Sequence, residues 1–466
     1  MNTQHFDLIV IGSGPAGQKA AIQAASQNMQ VALIERDKGL GGSCVYRGTV
    51  PSKTLRENAL RVNSMRLNAQ LSQFKLREDT ELEALINRLN TVLTKHDTYM
   101  RKQIARTDVK LIHGRAKFIS NTQLEVARIQ QDTLTLTASH IIIASGSHPR
   151  TPDNIPIDHE NLLDSDSILS MMYIPKSLTV LGGGVIASEY ATIFQALGTK
   201  VTMIDKYPSP LGFLDDDLTA KFTDEFDHMG GTWLGESTIA RCEWNGIDAV
   251  EVELDCGNII RSEKLLCAAG RVANVDHLCI ENAGLSLNKH GVIDVDNNLK
   301  TKIDNIYAAG DVIGPPSLAS ASMEQGRRAS CNALGLRCSL ASTVIPSGIY
   351  SIPELSSVGL SEMQARKEYD NIIIGKADFD EIARGQISDV TNGLLKIVVN
   401  ADDKKVLGVM IVGEGATELI HIGQMAIINH AQVDTFVETT FNFPTFAEAY
   451  RVAALDATYQ LTQPNR

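Results

Sequence analysis

Apolar and polar positions along the 466-residue chain repeat one short pattern twice. Residues 6–11 form an apolar run of strand length, Gly12-Ser13-Gly14-Pro15-Ala16-Gly17 interrupts it, residues 18–26 are small and helix-compatible, and a second apolar run at 30–34 ends at Glu35. That order predicts strand, tight turn, helix, strand. Far downstream it recurs: residues 177–181, Gly182-Gly183-Gly184-Val185-Ile186-Ala187, a helix, residues 200–204 and Asp205. Glu35 stands 23 positions beyond Gly12 and Asp205 stands 23 beyond Gly182, so the chain contains an internal repeat of a βαβ unit.

Between the repeats, residues 54–106 lack Gly and Pro and predict two helices. Leu82, Leu85, Ile86, Leu89 and Leu93 recur there at helical spacing, as a packed face does. Residues 109–143 alternate as short strands, and residues 147–152 read as a linker into a second domain. A break at Ala268-Ala269-Gly270-Arg271 returns the chain to the first domain, and from about residue 345 strands mix with two helices and no phosphate-type glycine turn. The expected organisation is residues 1–150 and 271–344 as one nucleotide domain, 151–270 as a second inserted into it, and 345–466 as an interface domain. Both nucleotide domains are expected to be α/β with Rossmann-like parallel sheets, and the third α+β.

The length suits three or four domains, and 43% hydrophobic with 21% charged residues excludes a disordered chain. A net charge of -12 argues against a nucleic-acid partner. No apolar run approaches the ~18 residues of a membrane span. The N-terminus passes directly into strand-like sequence, so neither a membrane nor a cleaved signal is expected. The seven cysteines are scattered, without Cys-x-x-Cys pairs, which argues against a disulfide framework or a zinc site and favours a reducing, cytoplasmic setting.

A strand, a glycine turn and a helix N-terminus present backbone N–H groups and a positive dipole end to a pyrophosphate. Gly12 permits the turn, Gly14 lets a phosphate approach, Gly17 allows close packing of helix on strand, and Glu35 is placed to meet ribose hydroxyls. Gly182, Gly184 and Asp205 repeat these roles. Two such units imply two dinucleotides, the plan of a flavoprotein that exchanges hydride with a nicotinamide.

The segment Gly41-Gly42-Ser43-Cys44-Val45-Tyr46-Arg47-Gly48-Thr49-Val50-Pro51-Ser52-Lys53 resembles the redox-active segment of the pyridine nucleotide–disulfide oxidoreductases. The resemblance continues in Ile143-Ala144-Ser145-Gly146, in Ile306-Tyr307-Ala308-Ala309-Gly310-Asp311, in Ser317-Leu318-Ala319-Ser320-Ala321 and in Phe441-Asn442-Phe443-Pro444-Thr445-Phe446-Ala447-Glu448. It implies FAD in the first domain, bound by Gly12, Gly14, Pro15, Ala16, Gly17, Glu35, Gly42, Ser43, Cys44, Thr49, Ala116, Ser145, Gly146, Gly310 and Asp311. Asp311 would hold the ribityl chain, and the helix beginning near Leu318 and Ala319 would aim its N-terminus at the N1/O2 edge of the flavin. NAD(P)(H) would dock as substrate on Gly182, Gly184, Val185, Ile186, Asp205, Lys206 and Gly270. Lys53 and Glu189 match the family's ion pair beside flavin N5 and are the expected catalytic pair.

Two departures bear on function. The disulfide enzymes need two cysteines five positions apart, and Cys44 is followed by Thr49, which cannot form a disulfide. They also carry a His before the C-terminal proline, where Phe443 stands, although Glu448 remains. The dithiol half-reaction is therefore expected to be absent and Cys44 to be a buried leftover thiol. This pattern looks like the soluble, Si-specific NAD(P)+ transhydrogenases within the family, which implies FAD-dependent ping-pong hydride transfer from NADPH to NAD+ in a homodimer. Val185 replaces the aromatic gate of some relatives and leaves the nicotinamide pocket more open.

Asp205 would repel a 2′-phosphate while Lys206 could offset it, no arginine occurs from residue 199 to 220, and Ala187 is of the type found in NADP-using relatives. The alternative is an NADH-dependent diaphorase, quinone reductase or oxidase. A third reading, a non-catalytic redox-sensing flavoprotein, fits poorly with intact Lys53, Glu189 and Asp311.

Overall fold

The computed structural model describes residues 4–72, 82–338 and 344–462. The first apolar repeat forms the parallel centre of a seven-stranded sheet, with Lys110–His113, Val31–Glu35, Gln4–Ile11 and Leu134–Ile143 side by side. Gln123–Ala127 and Arg115–Ser120 extend it antiparallel, and Ile306–Ala308 adds a parallel strand beside residues 141–143. Alternation along Gln4–Ile11 builds two cores, because Ile9 and Ile11 face one layer while Leu8 and Val10 face the helical layer. In that layer the helix Pro15–Ala25 lies against the helix Ala319–Ala333, so close that a Cβ on Gly326 would strike the Ala16 backbone.

The second repeat gives a five-stranded parallel sheet in the order Thr232–Leu234, Lys200–Ile204, Ser177–Leu181, Lys264–Cys267, Leu162–Asp164. Beside it lies a small antiparallel sheet of Ile239–Trp244, Val250–Leu254 and Ile259–Ser262. The third unit is a five-stranded antiparallel sheet from Ser347–Ile349 to Ile372–Asp378, packed on the helices Ala416–Ile428 and Glu448–Thr462. The fold class is therefore the expected one: two α/β nucleotide-type units and an α+β unit.

Three details differ from the sequence reading. The expected linker begins as a strand, Ser147–Pro149, paired antiparallel with Arg271–Ala273. The outgoing and returning crossings thus satisfy one another's backbone groups, and the Arg150 N–H donates to the Gly270 carbonyl at 2.9 Å. The last unit holds three short helices besides the two long ones, Glu362–Glu368, Ala383–Ser388 and Asp434–Glu438. The two expected helices of the 54–106 region are Thr49–Ser72 and Leu82–Ala105, so the first begins earlier, inside the redox-type segment. On the second helix Leu89 is buried and Leu93 packs on the core, whereas the side chains of Leu82, Leu85 and Ile86 lie outside the described residues. Among the described residues no helix is long and apolar enough to cross a membrane.

Candidate active site

The carboxyl ends of the first sheet's central strands open into a cavity of about 950 Å³ that runs on to the helix Val185–Ala196 and to the C-terminal unit. At its floor Gly12 has φ +100, and a Cβ there would collide with the Ala144 carbonyl. Gly14 is the N-cap of the helix Pro15–Ala25, no side chain caps that helix end, and nothing lies within 4 Å of where a Gly14 Cβ would be. A helix N-terminus that no side chain caps therefore faces the cavity. Gly17 lies behind the turn, away from the cavity lining, where its missing side chain leaves room for the Gly12 carbonyl.

Glu35 is buried, and its side chain braces the turn. One oxygen accepts from the Ser13 N–H at 2.8 Å and the Ser13 hydroxyl at 2.6 Å, and the other accepts from the Asp37 N–H at 2.8 Å. The second repeat copies the device. Asp205 accepts from the Gly183 N–H with one oxygen and from the Tyr207 N–H at 3.4 Å with the other. Gly182 has φ +117 against the Ala268 carbonyl, and Gly184 is an uncapped N-cap facing open space, as Gly14 is.

Of the residues expected around the first nucleotide, Gly12, Gly14, Pro15, Ala16, Glu35, Gly42, Ser43, Cys44, Thr49, Lys53, Ala116, Ser145, Gly146, Gly310, Asp311, Leu318 and Ala319 all line this one cavity. From the second set only Val185 and Ile186 reach it, together with Glu189. Gly182, Gly184, Asp205, Lys206 and Gly270 lie outside it: the first three form the second turn, Lys206 sits 5.2 Å above the Tyr207 ring, and Gly270 marks the returning crossing.

Lys53, on the helix Thr49–Ser72, and Glu189, on Val185–Ala196, meet in the cavity wall with Nζ 2.7 and 2.6 Å from the two carboxylate oxygens. Glu189 is buried and Lys53 partly so, which makes this a stronger pair than a surface bridge. Cys44 stands nearby, beside the Thr49 side chain; burial raises its pKa, against the lowering effects of Thr49 and Lys53.

Several functional-site residues carried no sequence signal. The Ser147 hydroxyl accepts from Arg271 Nε at 2.8 Å and donates to Asp311 at 2.8 Å, so the crossing ribbon positions Asp311. Arg47 bridges Asp37 at 3.1 Å and Asp166 at 3.9 Å, linking the first two units. Burial raises the Asp166 pKa although Arg271 and Arg47 oppose it. Tyr190 lines the cavity with a buried hydroxyl that has no protein partner, as does the expected Ser145. Burial also lifts the Tyr190 phenol far above its ordinary pKa. The 22-residue separation of Ser13 from Glu35 and of Gly183 from Asp205 is the one regularity that could have exposed the turn braces.

The sequence model of the pyridine nucleotide-disulphide oxidoreductases matches residues 6–326, and that of their dimerisation domain matches residues 345–454. The chain belongs to this family. A protein of Mycobacterium tuberculosis (strain ATCC 25177 / H37Ra) named soluble pyridine nucleotide transhydrogenase is 40% identical over 465 residues, 99% of each chain. One of the same name from Colwellia psychrerythraea is 39% identical over 462 residues, 98% of each chain. Among solved structures, LpdA of Mycobacterium tuberculosis has a TM-score of 0.89 at 26% identity, covering 97% of this chain and 99% of that one. The Cu(II) complex of the HOCl-induced flavoprotein disulfide reductase RclA of Escherichia coli has a TM-score of 0.88 at 26% identity, covering 98% and 99%.

The family's FAD fits the cavity by local tests. Open space stands over Gly14 and Gly146, where a side chain would intrude on a bound group. The unpartnered Ser145 and Tyr190 hydroxyls line the same space. The uncapped helix at Ala319 supplies a positive end at the far wall.

Proposed function

We propose that this oxidoreductase is a soluble pyridine nucleotide transhydrogenase that moves hydride between NADPH and NAD+ with FAD. One observation carries the reading: the Lys53–Glu189 pair is fully formed, while Cys44 faces a threonine hydroxyl instead of a second sulfur. The nicotinamide half of the family's chemistry is equipped and the dithiol half is not. The near-full-length relatives named for transhydrogenation support the same reading.

When bound, FAD supplies a ring that accepts and returns a hydride at N5. The chain's residues do the rest by position. The amides of the turn at residues 12–16 would hold the pyrophosphate, and Asp311, fixed through Ser147 and Arg271, would hold the ribityl hydroxyls. Lys53 places a cation at the N5 side, and Glu189 keeps the ammonium from swinging into solvent. The helix end at Ala319 would offer its dipole to the N1/O2 edge. The second turn, with Gly182 and Gly184, receives the nicotinamide nucleotides, and Lys206 is the cation nearest Asp205 in sequence for a 2′-phosphate. No side-chain acid or base is required.

The dimerisation-domain match and the exposed Met425, Phe443 and Tyr459 support a homodimer formed through the C-terminal unit, with Phe443 and Glu448 near the partner's flavin. Seven free cysteines support a reducing, cytoplasmic setting. The deciding experiment is anaerobic stopped-flow reduction of the purified protein by NADPH and by NADH, each followed by reoxidation with the other nucleotide's oxidised form. Fast reduction and reoxidation in both directions is the expected result. Reduction by NADH alone would transfer the assignment to a diaphorase or quinone reductase.

A further inference from the structure

The ammonium of Lys53 has a second neighbour besides Glu189, since Nζ lies 4.8 Å from the centre of the Tyr350 ring. Tyr350 belongs to the C-terminal unit, more than 150 residues from either member of the pair, and its ring lines the cavity. Its backbone N–H donates to Glu189 Oε1 at 2.9 Å. One residue thus touches both halves of the ion pair, the cation through a ring face and the anion through an amide.

The residues after Tyr350 hold this arrangement from both sides. The Ile352 N–H donates to Thr192 Oγ1 at 3.0 Å, one helical turn beyond Glu189. Arg56, one turn beyond Lys53 and buried, donates from Nε to the Ser351 carbonyl at 3.0 Å and pairs with Glu354 at 3.0 Å. Glu354 in turn accepts from the Thr417 N–H and hydroxyl at 3.1 and 2.9 Å. The ring's place is also confined from behind, since a Cβ on Gly348 would lie 3.0 Å from Thr417 Cγ2 and 3.5 Å from Tyr350 Cε2.

We propose that Tyr350 is a positioning residue for hydride transfer, its ring face and backbone amide setting where the Lys53 ammonium stands. A carboxylate alone lets a four-carbon side chain pivot about its contact. An aromatic face on a second side attracts the charge without adding an oxygen that would compete for its protons. The segment 350–354 closes on the helices carrying Lys53 and Glu189, so the C-terminal unit completes a site that the first two units only outline. This inference rests on the reading of Lys53 as the cation beside flavin N5.

The test grades the ring's electrostatics at constant shape. Tyr350→Phe and a series of ring-fluorinated phenylalanines at position 350 are compared in the FAD-loaded protein. Three quantities are read: FAD content, the anaerobic rate of reduction by NADPH, and the two-electron midpoint potential. Tyr350→Phe is expected within about twofold of the parent, with the rate falling stepwise as fluorination weakens the ring face, to roughly tenfold for the most fluorinated ring. The potential should move negative in step, with KM for NADPH unchanged. A series flat in both rate and potential overturns the proposal. Lys53→Met is the parallel control: if it alters rate and potential while the series stays flat, Tyr350 loses its role and the Lys53 reading stands. If Lys53→Met also changes neither quantity, the Lys53 reading falls, and this proposal with it. Near-isosteric rings keep the comparison clear of misfolding, so a Tyr350→Leu variant that fails to fold would not alter the outcome.

Discussion

The side chain of Thr49 stands beside the thiol of Cys44 and lowers its pKa against the larger effect of burial, where a disulfide enzyme of this family would have a second sulfur. Replacing Thr49 by Cys should bring two thiols together in the cavity wall. Lipoamide and glutathione turnover should nevertheless stay at background, because Phe443 supplies no proton carrier and is exposed. Substantial dithiol or disulfide turnover by Thr49→Cys would show that the missing imidazole matters less than this structure implies.

Lys53→Ala should keep FAD bound, since the turn amides and Asp311 are the groups proposed to hold the cofactor. It should slow reduction by NADPH on the order of 10- to 100-fold, the worth of a partly buried charged hydrogen bond. Stopped-flow absorbance of the yellow protein under anaerobic conditions measures this directly. Glu189→Gln should fall between that variant and the parent, as the amide retains one acceptor for the ammonium.

Gly14→Ala and Gly17→Ala should fail in different ways. The first adds a methyl to open space that a phosphate would fill, so the protein should fold with parental stability but purify colourless. The second drives a methyl into the Gly12 carbonyl, so stability itself should drop, by several kcal/mol. Urea unfolding of the two apoproteins, read beside their absorbance near 450 nm, separates the cases. Equal stability losses would contradict the assignment of Gly17 to packing alone.

Lys396 is fully buried in a strand of the C-terminal unit, with Nζ 3.0, 3.1 and 2.8 Å from Asp215, Asp217 and Glu362. Burial disfavours its charge, yet the hydrogen bonds to Glu362 and Asp215 and the charge of Asp217 outweigh that and raise its pKa. Burial likewise raises Asp217 and Glu362, but their lysine and arginine partners win and both end below the usual carboxylate range. Depressed carboxylates stabilise the fold above their unfolded pKa values near ~4 and lose that contribution as pH falls through the lower folded values. Lys396→Met should therefore cost about 1–3 kcal/mol at pH 7, because the partly buried carboxylates lose a shared cation although Lys376 still pairs with Asp217 and Arg366 with Glu362. That deficit should shrink below pH ~4 as they take up protons. Denaturant titrations of parent and variant at pH 7 and 3.5 give the comparison, and a deficit that grows in acid would refute it.

Much of the first nucleotide site was legible because its information is local. Gly12, Gly14 and Glu35 sit in one βαβ unit, where strand, turn and helix fix their relation within a few dozen residues. Lys53 and Glu189 were found only through resemblance, since nothing near either residue announces the other. Tyr350, Arg56, Ser147 and Arg271 went unread for the same reason. Their partners lie across unit boundaries, and segments such as 147–152 and 350–354 look like ordinary turns until the fold brings them to an edge. Lys396 also went unread, although a lone lysine in the otherwise apolar run of residues 394–399 signals a buried charge that must find acids.

The acid at the end of each βαβ unit already has work within its own loop, and this limits how nucleotide preference can drift. Removing Asp205 to welcome a 2′-phosphate would also release the Gly183 amide and slacken the turn proposed to receive the pyrophosphate. The route with least collateral damage keeps the acid and adds a neighbouring cation, and Lys206 stands one residue further along. A lineage following that route would arrive at one site accepting both nucleotides in alternation rather than a site dedicated to either.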